Sequence, residues 1–444
     1  MDQRSSFAFL REYATRWDAI ALLIVVGFFA FLGTASRGLL APLAQVGVDL
    51  SLAPQHLPEY AARTTLRMFA AMFLSLTFTL VYATWAAKNE RAERLLIPIL
   101  DVLQSVPILG FISVTIVFFL SLTPGRVLGA EFAAVFAIFT SQAWNMAFSF
   151  YQSLRTVPVE LREAADSFRL SPWMRFWRLE VPFAAPALIW NMMMSMSGGW
   201  FFVVAAEAIT VGNTTITLPG IGSYIALAIE QRDLKAVGWA IVAMLVVILA
   251  YDQLLFRPLV AWADRFRFEQ MPGDVAPESW FLTMVRRSGL VQRGARPVRR
   301  LVQWSFRASQ KMRLGAGRAP AGWGGSKVVD WLWMALIAGA TLLALTRVVD
   351  FVATSLALPD VGQAFGLGLI TLVRVIVMIA LASLVWVPVG VIVGLRPRWT
   401  QFVQPVAQFL AAFPANLTFP IAVFLIVHFR LDPDVWVKIG RAHV

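Results

Sequence analysis

Long apolar stretches alternate with short polar ones along most of the 444 residues. Nine stretches approach the length of a membrane-spanning helix: 19–35, 66–85, 106–122, 131–150, 183–206, 236–256, 331–346, 367–395 and 406–429. Several are apolar around their whole circumference, which excludes the one-sided burial of a helix in a soluble protein. Inside a bilayer every backbone polar group must be satisfied within the segment, so helices are the expected form. The pattern therefore predicts an all-α, polytopic transmembrane helical bundle. No small-residue cleavage site follows the first apolar run, which is read as a retained helix. One long polar stretch, 257–327, interrupts the sequence and closes on the Gly- and Pro-rich run GAGRAPAGWGG.

Composition sharpens this reading. Hydrophobic residues make up 59% and charged residues 14% of the chain, against roughly 45–50% and about 25% in soluble domains. The absence of cysteine excludes disulfides, thiolate metal sites and cysteine nucleophiles. The three histidines, His56, His428 and His443, are too scattered to assemble a metal centre. The formal charge of +12 does not point to nucleic acid, because its cations collect in alternate loops between apolar runs. Those loops carry Lys88, Arg91 and Arg94; Arg155, Arg162, Arg169, Arg175 and Arg178; the long polar stretch; and Arg396 with Arg398. The positive-inside rule then places the N-terminus and all four loops in the cytoplasm. The stretch 257–327 holds 14 Arg or Lys against four acidic residues, and reads as a cytoplasmic linker attracted to anionic headgroups.

The chain also repeats itself. At a constant offset of 307 residues, Thr64, Arg67, Arg91, Pro98, Leu103 and Pro107 fall on Thr371, Arg374, Arg398, Pro405, Leu410 and Pro414. Prolines and arginines are rare in such sequence, and paired matches of both at one offset point to duplication. An even number of helices between copies makes the repeats parallel. The organisation read from this is a first half over 1–270 with about six spans, a basic linker over 271–328, and a second half over 329–444 with about three spans.

The segment VPVELREAADSFRLSPWMRFWRLEVP, between the fourth and fifth apolar runs, is different in kind. Pro158 is suited to a first helical turn, and Leu161, Ala165 and Phe168 share one helical face. Ser171 and Pro172 form a cap and first residue for a second short helix, and Pro182 is placed to end it. Exposed aromatics among arginines on such a helix–turn–helix call for a partner surface.

This segment resembles the coupling loop of integral membrane subunits of bacterial binding-protein-dependent ABC importers. That family's loop reads Glu-Ala-Ala, three residues, Gly, nine residues, Ile-x-Leu-Pro. Here it is Glu163-Ala164-Ala165, three residues, Arg169, nine residues, Leu179-Glu180-Val181-Pro182. The resemblance extends over about 63–267, and MSMSGGWFFVVAAEAI and LPGIGSYIALAI are similar to the nitrate, sulfonate and taurine branch. It implies that the loop at 154–182 docks on a separate cytoplasmic ATPase. Glu163, Ala164 and Ala165 would then lie on the docking helix, and Leu179, Val181 and Pro182 would anchor the return to the membrane. It also implies a soluble extracytoplasmic binding protein as partner, a small oxyanion or sulfonate as substrate, and a chain that is a permease and not an enzyme. ATP and magnesium belong on the ATPase, with no cofactor on this chain. No phosphate-binding loop of the Gly-x4-Gly-Lys-Ser/Thr type occurs in the sequence. Arg169 departs from the family glycine, which ordinarily serves a left-handed turn.

Other residues invite two readings each. Arg67 and Arg374 near the outer ends of their spans either draw an anion toward the path or snorkel to headgroups. Asp101, Glu131, Glu207 and Asp252 near span ends read as solvated or capping. Pro107 and Pro414, with Pro98 and Pro405, either frame the translocation path or bend helices for packing. Gly198–Gly199 reads as close helix packing. The alternative to an ATP-driven importer is a secondary carrier or channel not coupled to ATP. A catalytic membrane enzyme lacks a cluster of nucleophile, base and metal ligands. Shifted by 307, Glu163 and Pro182 fall beyond Val444, so the second half is expected to be C-terminally truncated. Ile439–Val444 has a reverse translation resembling a sequencing adapter, so these last residues are expected to be read-through.

Overall fold

The computed structural model describes residues 16–35, 50–211, 214–266, 279–315, 327–355 and 358–417, together with positions 419, 426, 429 and 430. Expectations about 439–444, His428 and His443, and most of 418–429, lie outside these residues. Two compact units divide the chain, one comprising Met1–Pro320 with Ala412–Leu417, the other Ala321–Ala411 with Thr418–Val444. The helices within 279–315 fall in the first unit.

Among the described residues of the first unit come α1 (Arg16–Ala35), a single turn at Pro54–His56, and α2 (Leu57–Lys88). There follow α3 (Glu90–Ser105), α4 (Ile108–Leu122), α5 (Val127–Arg155), and the short pair α6 (Val159–Ser167) and α7 (Pro172–Arg175). The long helix α8 (Val181–Ala206) leads into a hairpin of β1 (Ala208–Val211) and β2 (Thr214–Thr217), then α9 (Ile221–Glu230), α10 (Leu234–Tyr251) and α11 (Arg257–Ala263). The linker supplies α12 (Trp280–Arg287), α13 (Gly289–Gly294) and α14 (Arg296–Gly315). Helices dominate, as the apolar pattern predicts. The antiparallel hairpin, with Ala208 opposite Thr217, is a small addition.

Helix α5 is central, packed between α2 and α8. Its apolar window is 61% buried, against 39% for the window that includes α2. Small residues allow the approach. Ala133, Ala134, Ala137, Ala143 and Ala147 of α5 are buried. A Cβ on Gly199 of α8 would lie 2.5 Å from both Gln142 and Met68, so this glycine serves close packing, whereas Gly198 faces open space. At that crossing the buried Gln142 amide lies 3.6 Å from the sulfurs of Met68 and Met196. The outer faces carry exposed Phe73, Val81, Trp85, Trp190 and Val246, as lipid contact requires.

Six helical stretches among the described residues are long and apolar enough to cross a bilayer: Pro54–Lys88, Val127–Arg155, Pro172–Ala206, Leu234–Phe266, Trp331–Thr354 and Pro359–Gly394. The remaining three of the nine expected spans fare differently. The run 19–35 lies in the 20-residue α1. The run 106–122 shrinks to α4, whose 15 residues reach only about 22 Å, short of the roughly 30 Å hydrocarbon core. The run 406–429 is helical to Ala412 and is then interrupted. Pro107 is responsible for one of these breaks. It does not kink a continuous helix; it caps α4 in an extended conformation (φ −66°, ψ 121°). Pro414 likewise follows a helix end, before a single turn at Ala415–Leu417.

The second unit holds α15 (Lys327–Ser355), α16 (Leu358–Gly394) and α17 (Pro397–Ala412). None of the residues in the apolar windows of its two long helices is buried. Both bounds of α17 fall on those of α3 when shifted by 307, and the end of α16 falls within one residue of the end of α2.

Candidate coupling hairpin and buried charge cluster

The segment 154–182 folds as two short helices joined by a tight turn. Pro158 caps α6, and Arg162 closes the end of α5 by donating to the carbonyls of Leu154 and Arg155 at 3.1 and 3.3 Å. Ala165 is buried against the body, while Glu163 and Ala164 face outward. Phe168 does not share the buried face with Leu161 and Ala165; as the helix-capping residue it is 78% exposed. Ser171 caps α7 as its sequence predicts, its hydroxyl accepting from the Met174 N–H at 3.2 Å.

Pro182 does not end the second helix. A wider turn over Phe176–Glu180, in which the Val181 N–H bonds the Phe176 carbonyl, carries α7 into α8 as one continuous rod. Widening the turn just before the proline accommodates a residue with no N–H to donate. Leu179, Val181 and Pro182 are half-buried along this return. The residue between them, Glu180, is buried and pairs with Lys88 at 2.6 Å and Arg175 at 3.3 Å. Lys88 also lies 5.1 Å from the centre of the Phe176 ring. Two long helices, α2 and α8, are thereby tied together at the base of the hairpin. Glu180 occupies the position the family pattern leaves open, so no motif could have flagged it.

Arg169 adopts φ 49°, in the left-handed region where glycine is usual. The Leu170 N–H bonds the Ala165 carbonyl at 3.1 Å and the Arg169 N–H bonds that of Asp166 at 2.9 Å, the paired closure of a helix end by a left-handed residue. The turn keeps the glycine geometry with an arginine in place. Arg169→Gly should therefore leave the turn intact and stabilise it by about 1 kcal/mol, read as a rise in the unfolding midpoint of the purified protein.

At a separate place in the same unit, Arg67 is buried and fully engaged. Its guanidinium pairs with both oxygens of Glu131 at 2.6 Å, with Glu207 at 2.6 Å, and with the Pro219 carbonyl at 3.0 Å. Glu207 also accepts from the Thr64 hydroxyl at 2.7 Å and the Gly222 N–H at 2.6 Å, and the Thr64 hydroxyl accepts from the Ile221 N–H at 3.0 Å. Two carboxylates face one guanidinium. The N-terminus of α9 supplies further positive potential, because its first N–H groups have no intrahelical acceptor and are given to Glu207 and Thr64. The cluster joins α2, α5, the end of α8 and the start of α9. Arg67 is thus neither a headgroup-snorkelling cation nor an uncompensated one, and Glu207 caps a helix but is not solvated. Arg374, its counterpart at the repeat offset, is exposed and has no carboxylate pair among the described residues.

The hairpin, its flanking helices and part of the cluster lie in one stretch of sequence with known relatives. Residues 79–257 match the family of binding-protein-dependent transport system inner membrane components. The glycine betaine/carnitine transport permease of Listeria monocytogenes is 24% identical over 193 residues, covering 43% of this chain and 63% of that protein. The bicarbonate transport permease of Synechocystis is 25% identical over 105 residues, 24% of this chain and 36% of the relative. The nitrate import permease of Leptolyngbya laminosa is 25% identical over 115 residues, 26% of this chain and 38% of the relative. The chain thus spans less than two thirds of the length of the relatives it matches. The six long apolar helices make this a multi-pass membrane protein, of which residues 79–257 are similar to the inner membrane components of binding-protein-dependent transport systems.

Proposed function

We propose that this chain is the membrane-spanning subunit of an ATP-driven, binding-protein-dependent importer, and that it couples to a separate ATPase through the hairpin at 154–182. The observation that carries the reading is the hairpin itself. It is fixed at its base by Glu180, Lys88 and Arg175, yet turns Glu163 and Ala164 outward within the segment that matches the permease family. A rigid base under an open face suits a lever that passes motion of a partner into α5 and α8. ATP and magnesium are assigned to that partner, and substrate delivery to an extracytoplasmic binding protein. The basic loops are assigned to the cytoplasm, with the N-terminus on the same side.

The substrate class rests on weaker support. The relatives' names cover betaines on one side and bicarbonate and nitrate on the other. A small oxyanion or sulfonate is retained from the branch resemblance, with no role in its capture for Arg67. The coincidence of α3 with α17 supports two parallel halves, which would give the path a two-fold frame.

Glu163→Lys tests the coupling reading. Inverting a charge at a packed interface costs on the order of 2 kcal/mol or more, about thirtyfold in affinity. Substrate-stimulated ATP hydrolysis in proteoliposomes holding the chain, its ATPase and its binding protein should fall accordingly, with membrane content unchanged. Stimulation equal to that of the parent would exclude the hairpin as the dock.

A further inference from the structure

Helix α14, from the basic linker, lies against the hairpin. Ser305, Phe306, Ser309 and Gln310 share one of its faces and meet the second half of the hairpin. The Gln310 side-chain amide donates to the Arg169 carbonyl at 2.9 Å and accepts from the Ser171 N–H at 3.1 Å. The hydroxyls of Ser309 and Ser171 lie 2.8 Å apart, the Trp173 indole donates to Ser305 at 3.2 Å, and the Arg178 guanidinium sits 5.0 Å from the centre of the Phe306 ring. Glu163 and Ala164 remain exposed, so α14 grips the hairpin from behind and leaves its outward face open.

The grip falls on the position where the sequence departs from the family glycine. An L-residue pays a conformational penalty in the left-handed region that glycine avoids. A single amide that bonds the carbonyl of residue 169 and the N–H of residue 171 is satisfied only when the turn between them has its present shape. We propose that α14 is a clasp on the coupling hairpin, with Gln310 and Ser309 as positioning residues that hold the 168–171 turn in the geometry Arg169 alone would resist. Its consequence for transport rests on the coupling reading above; the clasp itself does not. The linker is then a working part of the coupling apparatus and more than a tether attracted to headgroups. Arg169 and Gln310 form a complementary pair, in which loss of the glycine is offset by a contact from a helix more than a hundred residues away.

Two measurements on the purified chain, with no ATPase present, decide this. The sequence has no cysteine, so Ser171→Cys with Ser309→Cys creates the sole possible disulfide. Mild oxidation of the purified chain should cross-link it, and failure to cross-link would overturn the clasp. By hydrogen exchange, Ser309→Ala with Gln310→Ala should speed the Leu170 and Ser171 amides about tenfold while amides inside α8 stay protected. Adding Arg169→Gly should return Leu170 to near its parental rate, because glycine holds the turn unaided, and should leave Ser171 fast for want of its acceptor. Unchanged exchange in the double variant, or no recovery of Leu170 with glycine, would also overturn the proposal. Where ATPase stimulation is followed as well, it should drop in the double variant and recover with Arg169→Gly. If exchange responds in this way and stimulation does not, the clasp stands and the coupling reading falls.

Discussion

Replacing Arg67 with methionine should remove most of the folded protein from the membrane. The substitution leaves Glu131 and Glu207 facing each other with no cation between them, and strands the Pro219 carbonyl. Removing one partner from a buried ion pair costs about 3–5 kcal/mol, set against a total stability of roughly 5–15 kcal/mol for a typical domain. Two carboxylates sharing one guanidinium place the expected loss at the upper end. Methionine fits the volume, so the effect reports charge and not a cavity. Arg374→Met provides the contrast: that side chain is exposed, and its removal should leave abundance and unfolding temperature close to parental. Neutralising all three groups of the cluster, with Arg67→Met, Glu131→Gln and Glu207→Gln together, should recover part of the loss, since the triple variant buries no unpaired charge. Membrane abundance and the unfolding midpoint in detergent are the readouts. Parental values for Arg67→Met would show that the charge cluster does not hold the bundle together.

What could be read from the sequence, and what could not, divides along the reach of each interaction. Local chemistry was legible. Ser171 and Pro172 start α7 where the cap pattern places them, six of the nine apolar runs lie in helices long enough to cross a bilayer, and Arg169 occupies the left-handed turn that the family glycine marks. Interactions across the fold were not. Arg67 bonds residues 64 and 140 positions away, and no periodicity connects them; the same carboxylates at span ends are compatible with solvation, capping or pairing. The linker was legible as basic but not as helical and docked. Its α14 contacts depend on residues around 140 positions earlier, and Asp18 of α1 holds the start of α13 through Ser288 and Leu290 at 2.7 and 2.9 Å. Proline misled in two ways. Pro182, placed by the sequence to stop a helix, is accommodated by a widened turn, whereas Pro107, which lies inside an apolar run, separates two helices. The hairpin at 208–217 had a signal that the apolar count obscured: β-branched residues on both sides of Gly212–Asn213, a hairpin-forming pair.

The glycines after that hairpin bear on the second large effect. Gly222→Ala should be nearly as damaging as the loss of Arg67, although it adds a single methyl group. A Cβ at 222 would sit 2.2 Å from the carbonyl oxygen of Val204 and 2.9 Å from its carbonyl carbon. These are backbone atoms of α8, so the strain cannot be relieved by a rotamer change, and α9 must move away. Movement breaks the 2.6 Å bond from the Gly222 N–H to Glu207 and draws the Ile221 N–H from Thr64. Overpacking costs about 1–3 kcal/mol, and a lost bond to a buried carboxylate about 1.5–3 kcal/mol more, so a total near 4 kcal/mol is expected. Gly198→Ala is the matched control: nothing lies within 4 Å of a Cβ there, and in mid-helix alanine is favoured over glycine by roughly 1 kcal/mol. The two glycine-to-alanine changes should therefore shift the unfolding midpoint in opposite directions. If both raised it, α9 would be free to stand away from α8, and the Glu207 carboxylate could not depend on the N-terminus of α9 for its charge balance.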